Sequence, residues 1–384
     1  MKFLMQMADL FSNFGNITLP QVVMWCIGGL LIYLAIKKDM EPTLLLPMGF
    51  GAILVNLPLS GAVDQLPDNG VVDGVIDILF NAGIANELFP QLLFVGIGAM
   101  IDFGPVLSNP KLMIFGAAAQ FGIFFTLCLA SCFGFELKDA ASIAIIGAAD
   151  GPTSIFVAQH FDSTYVGAIM VAAYSYMALV PIIQPPVIKL LTTKNERRIR
   201  MSNKDLNVSK RARILFPIIV TMIAGIVSPE SVALIGFLMF GNLIRECGVL
   251  DNLSETAQKV LANLVTLFLG ITIATKMQAE QFLTFQTLLI IGLGLFAFIF
   301  DTAGGVLFAK LLNLFLPKDK KINPMIGAAG ISAFPMSARV VHKLGLEEDN
   351  SNFLLMHAVG VNVSGQVASV IAGGLILSLV PMFS

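Results

Sequence analysis

Charge is the first thing this 384-residue sequence lacks: only 12% of it is Asp, Glu, Lys or Arg, about half the share of an ordinary soluble domain. Against 56% hydrophobic residues and a mean hydropathy of +0.84, that scarcity excludes a soluble globular chain, which cannot cover so much apolar surface. Four cysteines imply no disulfide framework. Cys128 and Cys132 share a helix face without His partners, so they read as buried apolar thiols rather than a metal site. Three dispersed histidines, His160, His342 and His357, form no transition-metal cluster; only His342 follows a polar motif closely enough to titrate in its service. No Walker loop, His-Glu-x-x-His motif or Gly-x-Ser-x-Gly elbow occurs, which argues against ATP hydrolysis and zinc or serine chemistry. Strict apolar alternation is also missing, which excludes a β-barrel.

What is present is apolar runs threaded with 34 glycines and 18 prolines, a mixture that membrane helices tolerate. The fold class is therefore an all-α polytopic membrane protein. Spans are expected near 20–36, 42–60, 74–101, 111–135, 140–160, 165–191, 214–228, 230–246, 260–275, 284–316, 322–342 and 353–380, about ten to twelve membrane elements, some not simple helices. The start, MKFLMQMADLFSNFGN, has no cleavable signal pattern, so insertion is expected through the first span. No Lys or Arg lies between Lys38 and Lys111, whereas eight fall between Thr192 and Arg213, opposed only by Glu196 and Asp205. The positive-inside rule places that loop and Lys37-Lys38 in the cytoplasm; a membrane-flanking loop accounts for the charge without nucleic acid.

The chain repeats itself. FVGIGAMIDFGPVLSNPKLMIFGAAAQFGIF (94–124) reads against FLGITIATKMQAEQFLTFQTLLIIGLGLFAF (268–298), and IIGAADGPTSIF (145–156) against MIGAAGISAFPM (325–336). The basic KDKK (318–321) precedes the second motif, while Glu136 and Asp139 outnumber Lys138 before the first. Opposite charge flanks imply two inverted-topology repeats with broken helices, a core and a scaffold, as in transporters. The expected layout is N-terminal scaffold helices over 1–90, repeat one over 91–191 with its broken motif at 147–156, a cytoplasmic basic loop over 192–213, scaffold helices over 214–259, and repeat two over 260–384 with its broken motif at 323–340.

Asp150 is a carboxylate inside an apolar run, followed by Gly151-Pro152. Proline removes a donor and disfavours helix in the residue before it. An unwound stretch beside an acid is an oxygen-lined site that suits Na⁺ or H⁺; the alternative is a solvated cap at a helix end. Gly330 replaces the acid in the second motif, which offers Asn323, Pro324, Ser332 and Pro335 instead. Asn362, Ser364 and Gln366 mark the middle of the following helix, as Tyr174, Ser175 and Tyr176 do in the first repeat. Asn323, Ser332, Asn362 and Ser364 serve either as ligands or in helix crossings. Arg339 pairs with an internal carboxylate, holds a carboxylate substrate, or snorkels to the interface. Asp301, a second acid in an apolar run, reads as a kink or cap more than as part of an ion path.

Taken together, GAADGPTSIF (147–156), AAYSYMALVPIIQPP (172–186), NPMIGAAGISAFPMSARV (323–340) and VGVNVSGQVAS (359–369) resemble the β subunit of bacterial sodium-ion-translocating, biotin-dependent decarboxylases. That family acts on oxaloacetate, methylmalonyl-CoA, glutaconyl-CoA or malonate, and the resemblance covers nearly the whole chain. It implies a multi-pass subunit of the bacterial inner membrane that decarboxylates carboxybiotin, exports Na⁺ and consumes a proton. It further implies a carboxyltransferase (α) subunit, a biotin carrier domain and a small γ/δ-type membrane subunit as partners in an oligomeric complex. Biotin comes from a partner, since no Met-Lys-Met occurs here; ATKM (274–277) is the nearest match. By the same resemblance Asp150, Tyr176 and Arg339 carry the chemistry, with Arg339 near the biotin end. Asp150, Asn323, Gly327, Ser332, Asn362 and Ser364 form the ion path, with Na⁺ in the region of Asp150 and Asn362. The competing reading is a stand-alone Na⁺/H⁺ antiporter or Na⁺-coupled carboxylate symporter, which has the same architecture from sequence. A scaffold that merely anchors soluble subunits leaves the mirrored polar motifs unexplained.

Overall fold

The computed structural model describes residues 12–38, 41–64, 74–201, 208–227, 229–317 and 320–383. Met1 to Phe11 of the N-terminal segment, the acidic Asp68 and Asp73, Lys204 and Asp205 of the basic loop, and Lys318 and Asp319 of KDKK lie outside the described residues. The described residues are overwhelmingly helical and contain no strand. Six helices are long and apolar enough to cross a membrane: Leu19–Lys38, Pro110–Cys132, Val166–Leu191, Asp251–Met277, Phe285–Phe315 and Leu355–Met382. A seventh crossing is available to the pair Val75–Gly83 and Leu88–Met100, bent by 63°. Of the other expected spans, 42–60, 214–228 and 230–246 each hold one continuous helix, Pro42–Val55, Lys210–Val227 and Val232–Glu246, whereas 140–160 and 322–342 are interrupted at their glycine-rich motifs. Cys128 and Cys132 are exposed, which corrects the expectation of burial: they lie on an apolar helix whose outer face needs only lipid-compatible side chains.

The chain divides into two compact units. In the first (1–89 and 263–289), Leu19–Lys38 packs on Pro42–Val55 through glycine. A Cβ on Gly28 would lie 2.6 Å from the Gly49 carbonyl oxygen, and one on Gly49 just as close to that of Gly28. Backbone approach of this kind drives helix association where lipid offers no hydrophobic contrast. Buried Asn56 closes the unit's broken backbone: its amide donates to Ala52 O and Met277 O at 2.8 Å, and its Oδ1 accepts from Ala279 N at 2.7 Å.

The second unit (90–262 and 290–384) uses the same device where Leu88–Met100 meets Val232–Glu246. Cβ atoms on Gly98 and Gly241 would sit 1.8 and 2.0 Å from the carbonyls of Leu238 and Val95. Its basic segment is tied down. Buried Arg197 pairs with Glu348 at 2.6 Å and donates to Thr192 O at 2.6 Å. Arg200 pairs with Asp349 at 2.7 Å, and Lys310 with Glu196 at 3.2 Å. The hydrogen bond from Arg200, and after it the N–H of Ser351, hold the Asp349 carboxyl below the usual carboxylate range. Arg197→Ala strands Glu348 and the Thr192 carbonyl, so it is expected to lower stability by on the order of 3 kcal/mol, read as a fall in the detergent melting temperature. Arg200→Ala, at a solvent-screened pair, is expected to leave the melting temperature almost unchanged.

Candidate functional site

Two broken segments of the second unit meet at one carboxylate. The first runs from helix Leu137–Ala144 through a tight turn of helix at Ile145–Ala148 to helix Gly151–His160. Ala149 takes the left-handed region (φ 52°) and Asp150 is extended, so the backbone reverses between the two helices. Proline in the first turn costs nothing, because an N–H there has no intrahelical acceptor. Asp150 is the N-cap, accepting from Thr153 N at 3.4 Å. The outer ends of this hairpin are joined by Ser163 Oγ, which donates to Asp139 Oδ1 at 2.5 Å.

The second hairpin runs from Asn323 through Pro324–Gly330 to helix Met336–Glu348. Asn323 accepts from Met325 N at 3.1 Å and donates to Arg197 O at 2.8 Å. Asn352, past the other leg, donates to the same carbonyl at 2.8 Å. Both outer ends therefore sit on the basic segment. Helix Val166–Leu191 leads from the base of the first hairpin to that segment, and its 26 residues rise about 39 Å. The tips touch: Ser332 N donates to Ala148 O at 2.9 Å.

Asp150 is 3% exposed. Its Oδ2 accepts from Thr153 Oγ1 (2.8 Å), Ser332 Oγ (3.1 Å), Gln366 Nε2 (3.1 Å) and Ser369 Oγ (2.9 Å). These donors come from the first hairpin, the second hairpin and helix Leu355–Leu379. No basic side chain pairs with Asp150 among the described residues. Hydroxyls carry lone pairs as well as a proton, so the shell that donates to a bare carboxylate can turn its oxygens to a bound cation. Nearby, Asn362 Nδ2 donates to Ala329 O (3.1 Å) and Ile331 O (2.7 Å), which leaves its buried Oδ1 without a partner. The Tyr174 ring lies against Gly151, where a Cβ would be 2.4 Å from it, and its buried hydroxyl is likewise unpartnered.

Of the residues singled out from sequence, Ser332 contacts Asp150 directly and Asn362 braces the backbone on either side of Gly330. The others lie elsewhere in the unit. The Tyr176 hydroxyl donates to Ile291 O. Asn323 staples the hairpin base to the basic segment. Gly327 meets Gly305, a Cβ on either lying about 2 Å from the other's carbonyl oxygen. Ser364 donates to Leu112 O at 3.0 Å and Val361 O at 2.6 Å. Arg339 is exposed and forms no ion pair among the described residues, so pairing with an internal carboxylate is not its role. Gln366 and Ser369, two of the four side chains on Oδ2, were not read as ligands. The signal was a polar stripe: 362, 366 and 369 recur at helical spacing on one face.

Fold and site define a polytopic membrane protein whose interior holds a buried acid, Asp150, clothed in neutral oxygen and amide groups. The family model described as Na⁺-transporting oxaloacetate decarboxylase beta subunit matches residues 20–380. The chain is 46% identical to the methylmalonyl-CoA decarboxylase subunit beta of Propionigenium modestum, covering 96% of this chain and 97% of that protein. It is 48% identical to the glutaconyl-CoA decarboxylase subunit beta of Acidaminococcus fermentans, over 96% of each. With the oxaloacetate decarboxylase beta chain of Klebsiella pneumoniae it shares 45% identity over 94% of this chain and 95% of that one. The chain belongs to the family of Na⁺-transporting decarboxylase beta subunits, and it is a multi-pass protein of the bacterial inner membrane.

Proposed function

We propose that this chain is the membrane subunit of a sodium-pumping decarboxylase: it couples decarboxylation of carboxybiotin, delivered by a partner, to Na⁺ export and consumption of a proton. The observation that carries this reading is the Asp150 cluster, an acid without a fixed counter-cation whose four side-chain donors come from three different elements. Sodium and a proton compete for that one carboxylate. Moving one charge against ~100 mV requires about 2.3 kcal/mol, which an exergonic decarboxylation can supply.

The two hairpins favour inverted repeats. One base is tied at Asp139 and Ser163, the other at the basic segment, and a helix of membrane length runs between those ends. In this reading 91–191 and 260–384 are the repeats, while 1–90 and 214–259 serve as scaffold. Asn362 Oδ1 is free to join Asp150 around Na⁺, with Ser332 completing the tip. Asn323, Gly327, Ser364 and Tyr176 hold the hairpins and helices that frame the path. Arg339, exposed on the helix that ends at the basic segment, receives the carboxylate of carboxybiotin. The partners are a carboxyltransferase subunit, a biotin carrier domain and a small membrane subunit. Arg339→Ala is expected to slow carboxybiotin decarboxylation by about 10²-fold while leaving Na⁺ binding at Asp150 unchanged, checked by decarboxylation assay beside sodium titration. The reading itself is tested by reconstituting the chain with its biotin-bearing partners and measuring Na⁺ uptake into inverted vesicles. Uptake should start on substrate addition and stop with avidin. Uptake that persists without any biotin partner would make the chain a secondary transporter.

A further inference from the structure

Asp301 is the other acid fully buried among the described residues, at 0% exposure in the middle of helix Phe285–Phe315. Its Oδ1 accepts the backbone N–H of Ile123 at 3.1 Å, and the N–H of Gly122 also bonds the carboxyl. These donors can reach Asp301 because the helix from Met113 stops at Ala119 and a new one starts at Phe121, where the first N–H groups lack the usual acceptor four residues back; Ile123 N shares its proton with Gln120 O at 3.2 Å. So far this is a cap. The second oxygen has no such explanation: Oδ2 is buried and has no hydrogen-bond partner.

The surroundings of Oδ2 narrow what it can hold. It lies against Gly147, where a Cβ would come within 2.7 Å of it and 2.8 Å of the Ala297 methyl. The glycine makes room for the carboxyl. The packed elements bring no charged side chain to it: helix Phe121–Cys132 presents Gly122 and Ile123, the first hairpin presents Gly147, and its own helix presents Ala297. The next acid along the hairpin is Asp150, whose carboxylate is engaged by its own hydroxyl and amide cluster. Backbone donors alone leave an ionised Asp301 without a counter-charge in the membrane interior, where an isolated charge is expensive. A sodium ion needs several converging oxygens, whereas Oδ2 has no hydrogen-bond partner and lies against Gly147 beside the Ala297 methyl. A proton needs only Oδ2 itself.

We propose that Asp301 is a second proton-binding site of this chain, set against the same unwound segment that ends in Asp150. Hydronium supplies the proton: its O–H bond breaks, leaving water, and the Oδ2–H bond forms, while Oδ1 keeps the N–H of Ile123. The membrane interior thus holds two exchangeable acids in different settings: Asp150, in an oxygen shell open to sodium or a proton, and Asp301, whose unpartnered Oδ2 beside Gly147 and the Ala297 methyl takes a proton. The inference does not depend on which reaction drives the chain.

The test is infrared spectroscopy of the full chain in lipid bilayers at saturating sodium, reading the carbonyl stretch of protonated carboxylic acids and its shift in D₂O. A protonated-carboxyl band is expected to persist under sodium, to survive Asp150→Asn and to vanish in Asp301→Asn. Asp301→Glu keeps an acid at the position and is expected to move the band rather than remove it, which decides the matter if the Asn variant does not fold. Absence of any protonated-carboxyl band at saturating sodium would overturn the proposal. So would a band unchanged in both Asp301 variants.

Discussion

Asp150→Asn should abolish carboxybiotin decarboxylation and sodium movement together, each by about 10³-fold or more, the scale of removing an essential proton-transfer group. The amide is nearly isosteric, so folding should survive and the melting temperature should not fall. Its failure is one of charge and of acceptor count. Oδ2 accepts four side-chain donors. An amide nitrogen at that place would meet four donors with a donor. An amide oxygen there would satisfy them but could neither release a proton nor neutralise a sodium ion. Asp150→Glu, which restores the charge on a longer arm, should recover a measurable fraction of both activities. Parallel assays of decarboxylation and sodium uptake in the same vesicles check this. Decarboxylation continuing at the normal rate in the Asn variant would show that Asp150 is not the coupling acid.

Gly327→Ala should be the most damaging of the conservative changes. A Cβ there would lie 2.0 Å from the Gly305 carbonyl oxygen, and one on Gly305 2.1 Å from that of Gly327. The obstacle is backbone on both sides, so relief requires the second hairpin and helix Phe285–Phe315 to move apart by more than an ångström. Overpacking of this kind costs about 3 kcal/mol at the upper end of its usual range, and it shifts the hairpin that delivers Ser332 to Asp150. Both stability and sodium uptake should therefore fall. Gly292, on the same helix with nothing within 4 Å of its Cβ position, is the control: Gly292→Ala should leave both unchanged. Equal behaviour of the two variants would contradict the close-packing account.

Much of the site was legible in Asp150 itself. An acid in an apolar run with Gly-Pro behind it predicts non-helical backbone at the acid, and Asp150 is extended between Ile145–Ala148 and Gly151–His160. The near-copy at 325–336 pointed to Ser332, which does reach the acid. The absence of a second acid also has a physical reason: a Cβ on Gly330 would sit 2.7 Å from both Ala119 Cβ and Phe115 O, which leaves no room for an aspartate. What the letters could not supply was direction. Tyr174 and Tyr176, two apart on a helix, point to different faces; the structure lays Tyr174 against Gly151 and sends Tyr176 to Ile291. Ser364 and Gln366 are likewise two apart, and only Gln366 faces Asp150. Which of the expected membrane elements are not simple helices was hidden for a related reason. Hydropathy registers that 140–160 and 322–342 are apolar, not that each folds back on itself around a glycine-rich turn.

The central claim is that sodium and a proton compete for the Asp150 carboxylate. It is tested most directly by calorimetric sodium titration of the purified chain in two buffers of different ionisation enthalpy, which counts protons released as sodium binds. A proton should leave with each sodium bound, the apparent affinity should weaken as pH falls, and both effects should vanish in Asp150→Asn. Sodium binding without proton release, or release that persists in the Asn variant, would contradict the account.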